Sequence, residues 1–106
     1  MPKKINSKQK GARFERAIAH ILSDHGFPAH RSQQYCGANN DADVTSPDFP
    51  FHVECKNVEK LNLYQAFTQA IRDSKGSKPP CVIHTKNHHE NLITIRLDDF
   101  LKLITN

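Results

Sequence analysis

Asp43-Val-Thr-Ser-Pro-Asp-Phe-Pro-Phe-His-Val-Glu-Cys-Lys56 decides how this chain is read. Ser46-Pro-Asp-Phe-Pro50 is a turn signal between two short runs of strand-forming residues, so the segment predicts a hairpin with arms 42–45 and 51–57. Side chains alternate along a strand. Phe51, Val53 and Cys55 therefore point to one face, toward a core, while His52, Glu54 and Lys56 point to the other. If residues 47–50 form the loop, Ser46 pairs with Phe51 and Asp43 lies opposite Glu54. Directly opposed Cβ atoms are roughly 4.5–5.5 Å apart. Two carboxylates held that close repel each other unless a cation sits between them, and a hard divalent ion suits oxygen ligands. Lys56 follows on the same face, one step along. Asp48 and Asp41 are alternatives to Asp43. The first sits at the loop tip and the second lies two residues further from Glu54, so Asp43 is preferred.

Outward from the hairpin, helix periodicity runs from about Lys8 to His25, with Phe14, Ala17, Ile18, Ile21 and Leu22 as the apolar stripe. Ser7 is the expected cap and Gly26 the left-handed end. An extended polar stretch follows through Tyr35. Beyond the hairpin a second helix is predicted over 63–74, capped by Asn62 with Gln65 three residues on, and burying Leu63, Phe67, Ala70 and Ile71. Strands are predicted over 80–85 and 91–96, with His88-His89-Glu90 turning between them, and a short amphipathic helix over 97–104. The order helix, three strands, helix, two strands, helix is that of an α/β domain with a mixed central sheet flanked by helices. Length allows one domain over 1–106, with residues 1–7 as a basic arm.

Glu15 lies on the first helix beside the apolar stripe. Gly11, Ala12, Ile18 and Ala19 occupy the positions three and four residues away, so no basic partner stands at helical spacing. A carboxylate there can face the sheet edge and reach a metal's outer shell through water. Lys3, Lys4, Lys8, Lys10, Arg13 and Arg16 crowd the first sixteen residues against that one acid, within a net charge of +4. This distribution fits a polyanionic partner. The N-terminus lacks the apolar stretch of a signal peptide and no run is long enough to span a bilayer, so a cytoplasmic location is expected. Three cysteines without a C-x-x-C pair argue against a disulfide framework or a zinc knuckle. His84, His88 and His89 could be read as a histidine-metal site, but they fall on a strand end and a turn.

Glu15, Asp43 and Glu54-Cys55-Lys56, in that order and followed by a helix, resemble the PD-(D/E)xK nuclease superfamily with its restriction-endonuclease-like core. The likeness is nearest to small archaeal-type and phage-encoded Holliday junction resolvases. It extends from Lys8 to about Arg96 through Lys10-Gly-Ala-Arg-Phe-Glu15, Gly26-Phe27 and Arg31-Ser32. Ala42 stands where the superfamily motif has proline. The resemblance implies a Mg²⁺-dependent endonuclease (Mn²⁺ as substitute) of DNA recombination and repair. The metal would be held by Asp43, Glu54 and the main-chain carbonyl of Cys55, with Glu15 nearby, Lys56 positioning the nucleophile and Gln69 close to the site. Branched DNA would be the partner, gripped by Lys3, Lys4, Lys8, Lys10, Arg13, Arg31, Ser32 and Arg72, and a homodimer would supply two matched cuts. The same chemistry on flapped, nicked or restriction-type DNA, or a non-catalytic DNA-binding module, are the alternatives.

Overall fold

The computed structural model describes residues 7–32 and 42–105. Lys3, Lys4, Tyr35 and Asp41 lie outside them. The described elements are α1 (Ser7–Asp24), β1 (His30–Arg31), β2 (Val44–Thr45), β3 (His52–Asn57), α2 (Leu63–Ser74), β4 (Pro80–Thr85), β5 (Leu92–Thr94) and α3 (Leu97–Ile104). This is the predicted order, and α2, β4 and α3 have the predicted bounds. The strand expected over 91–96 contracts to three residues, because only Leu92, Ile93 and Thr94 find partners on β4.

The strands form one mixed sheet in the order β1-β2-β3-β4-β5. β1, β2 and β3 run antiparallel in turn, β3 and β4 are parallel across α2, and β5 returns antiparallel to β4. A parallel pair needs a crossover of a dozen or more residues, and the segment carrying α2 supplies it.

α1 packs on β1, β2 and β3, and α2 on β3 and β4. The larger core gathers Phe14, Ile18, Ala19 and Leu22 of α1 against Val44, Phe51, Val53, Cys55, Cys81 and Ile83. Within the predicted stripe, Ala17 and Ile21 are exposed and Ala19 takes the buried place. A smaller core sets Ala66 and Ala70 against Val82, flanked by Leu61, Leu63 and Phe67. Ile71, expected inside, is exposed, and Ser74 is buried instead. The small residues Ala66, Ala70 and Ser74 let α2 lie close on the sheet, which turns Ile71 outward.

The α2 cap forms as read, with Asn62 Oδ1 accepting from the Gln65 N–H at 3.1 Å. Gly26 adopts φ +93° where the chain leaves α1, a conformation that costs glycine little. The hairpin turn is fastened from outside. Lys78 Nζ donates to the carbonyls of Ser46, Pro47 and Phe49 at 2.9, 3.1 and 2.7 Å. One ammonium has three donors, so this lysine spends all of them locking the β2–β3 turn to the loop before β4.

Candidate active site

Val44 pairs with Val53, and Asp43 stands just before β2, where the regular ladder ends. The Asp43 N–H donates to the Val53 carbonyl at 2.8 Å, and Asp43 Oδ2 accepts from the Cys55 N–H at 2.8 Å. These two bonds, rather than a ladder pair with Glu54, hold the Asp43 carboxylate against β3. Asp48 is exposed in the turn, away from the ladder.

The two carboxyl groups lie within hydrogen-bonding reach of each other. Burial first, then the charge of Glu54, pushes the Asp43 carboxyl up to about 7, against the lowering effect of the Cys55 N–H and Lys56. Such a shift is the mark of like charges gathered in a poorly solvated place.

β3 is buried on both faces, not one. Phe51, Val53 and Cys55 face α1 as predicted, while His52 and Glu54, only 7% and 4% exposed, are covered as well. A glutamate buried to this degree cannot be a solvated surface residue. Its Oε1 lies 3.1 Å from His52 Nε2, two residues back on the same face. The sequence placed His52 on this face without giving it a role; period-two spacing from Glu54 was the available signal. At the far end of the strand, Lys56 Nζ donates to Gln69 Oε1 of α2 at 3.4 Å.

Glu15 finds the partner that helical spacing denied it. Arg31, on β1, donates from Nε to Glu15 Oε1 at 2.7 Å. Burial outweighs this bond and raises the Glu15 carboxyl, with Asp43 contributing to the rise. α1 therefore brings a third carboxylate into the electrostatic field of the pair. Ser32, expected at the DNA, is buried, with its hydroxyl bonded to Thr45 Oγ1. Its N–H donates to the Asp43 carbonyl at 3.0 Å. Ser32 thus braces the segment that carries Asp43 and β2, with its hydroxyl turned to Thr45.

Among the described residues no three or more His, Cys, Asp or Glu side chains gather to hold a metal. The side chains here that could hold an ion are the two carboxylates, joined in the resemblance by the Cys55 main-chain oxygen. That set suits Mg²⁺, which keeps several waters and takes one or two carboxylates. It does not suit zinc, which wants nitrogen and sulfur. Burial pushes the Cys55 and Cys81 thiols far up, so they stay protonated and are poor metal ligands. The ring nitrogens of His84 and His89 engage Thr94 Oγ1 and the Asn87 carbonyl.

No curated protein matches this chain. Among solved structures, the 1.6 Å structure of Archaeoglobus fulgidus Hjc, a Holliday junction resolvase from an archaeal hyperthermophile, is similar. It matches with a TM-score of 0.61 at 20% identity, over 80% of this chain and 76% of that one. That likeness shows the fold. The family model described as phage putative PDDEXK endonuclease matches residues 6–106. The chain belongs to this family of PD-(D/E)xK nucleases.

Proposed function

We propose that this protein is a Mg²⁺-dependent, structure-selective endodeoxyribonuclease that resolves four-way (Holliday) junctions. The convergence of Asp43 and Glu54 on one face beside Lys56 carries the reading. Asp43, Glu54 and the Cys55 carbonyl would hold the metal, with Glu15 at its periphery. A bound divalent ion lowers the pKa of its water and offsets charge on phosphate. Lys56, steadied by Gln69, directs its ammonium at the attacking water or the scissile phosphate. Arg31 keeps Glu15 oriented from Nε and retains four further N–H groups for a phosphate. Lys8, Lys10, Arg13 and Arg72 supply backbone contacts, which position DNA without reading its sequence. With the branch shape providing selectivity, a domain this small needs no separate recognition module. A junction requires two matched cuts, which a two-fold dimer delivers. The phage family description supports action in the cytoplasm of the bacterial or phage-infected cell. No helix among the described residues is long and apolar enough to cross a membrane.

The deciding experiment compares a four-way junction, a flap and linear duplex, with Mg²⁺ or EDTA, for wild type and Glu54→Ala. Cleavage confined to the junction, and lost with EDTA or the substitution, is expected. Cutting that survives both would remove the mechanism. Equal cutting of all three substrates would remove the junction preference and leave the nuclease.

His52 acts as a positioning residue in this scheme. By holding Glu54 Oε1 it leaves the other oxygen to the metal. Groups that orient a metal's ligands typically contribute 10–100-fold in affinity. His52→Ala is therefore expected to weaken Mn²⁺ binding by about 10–100-fold in a calorimetric titration without DNA, and His52→Gln to recover part of it. Unchanged Mn²⁺ affinity in a folded His52→Ala protein would refute the assignment.

A further inference from the structure

α3 is an eight-residue helix with no buried residue, and among the described residues no other helix or strand packs along it. Leu97, Phe100, Leu101 and Ile104 recur at i, i+3, i+4 and i+7, a single apolar stripe, and are 42–70% exposed. Isolated helices shorter than about 12 residues are marginal in water and draw their stability from packing. Something must therefore cover this one.

A matching surface stands on the same chain. Leu63, Phe67 and Ile71 of α2, with Thr94 and Ile95, line a largely apolar groove of about 370 Å³. α3 cannot fold back into it. Arg96 lines the groove and Leu97 already begins the helix, so no loop exists to reverse the chain. A second copy has no such restriction.

We propose that two copies of this chain exchange α3, each helix seating its Leu97–Ile104 stripe in the other copy's groove between α2 and the end of β5. A helix and groove carried by one chain form two identical contacts under a two-fold axis, which closes the assembly. The area is of the right order. Tyr64 and Ile71 of the groove and the four residues of the stripe leave uncovered the equivalent of more than three large side chains. At roughly 150–200 Å² each this is about 500–700 Å², within the lower range around the ~800 Å² per partner of a standard interface. The exchange names the contact behind the dimer that the junction reading calls for, yet it can be measured without DNA. Failure of cleavage and failure of assembly are thus separate results.

The test uses the full chain in sedimentation velocity, with circular dichroism to confirm folding. Wild type is expected to be dimeric at micromolar concentration. Phe100→Lys in the stripe, or Ile71→Asp in the groove, should each raise the dimer Kd about 100-fold or more, as loss of a central apolar anchor does. Mixing the two variants should restore dimers. In the mixed pair one contact is unaltered and the other joins the new lysine to the new aspartate. Monomeric wild type, variants that dimerise as wild type does, or a mixture that stays monomeric would each overturn the exchange.

Discussion

Replacing Asp43 by asparagine is expected to stop cleavage while making the metal-free protein more stable at pH 8. Asparagine keeps an oxygen for the Cys55 N–H but removes the negative charge that Glu54 opposes. The sign follows from the raised carboxyl. Its pKa is about 7 in the folded chain against an ordinary 3.8, so the folded state holds the proton more tightly. Asp43 therefore favours folding most below about pH 4, and this contribution is lost as the pH rises through about 7. At pH 8 the substitution removes the remaining repulsion, an effect on the order of 2 kcal/mol after allowance for the weaker hydrogen bond. At pH 5, where Asp43 is already largely protonated, the two proteins should differ little. Urea unfolding in EDTA at both pH values measures this. Cleavage should fall by at least roughly 10³-fold, since a catalytic metal contributes several kcal/mol. A less stable Asp43→Asn protein at pH 8 would mean that the two carboxylates do not strain each other. Stability gained where function is lost is a familiar property of catalytic sites.

Lys56→Ala should lower kcat by roughly 10²–10⁴-fold, the range for a side chain acting on the reacting groups. Junction binding in Ca²⁺ should stay within about twofold, because backbone contacts spread over many basic residues carry affinity. The hydrogen bond to Gln69 makes Gln69→Ala the milder companion: it releases the lysine without deleting it. Single-turnover cleavage beside a binding titration separates the two effects. A matching loss in both would assign Lys56 to DNA binding and leave the nucleophile without its positioning group.

The hairpin explains why so much of the site was legible. Turn residues 46–50 and alternation over 51–56 favour a pairing that sets Asp43, rather than Asp41 or Asp48, toward Glu54. The Asn62 cap and the bounds of α2, β4 and α3 are equally local, because capping and periodicity act within a few residues. Ile71 and Ser74 exchange places relative to the pattern, since the sheet beneath α2 accepts only small side chains. That shape is not written in the helix itself.

The residues alone determined the family-bearing motif, the order of elements and the face shared by Asp43, Glu54 and Lys56. These follow from backbone periods and turn chemistry, which are short-range. Only the tertiary structure decided that Glu54 is buried with His52, that Arg31 rather than a helical neighbour holds Glu15, and that Ser32 is tied to β2 through Thr45. Burial and partnership across many residues of chain depend on which surfaces meet, and no single segment contains that information.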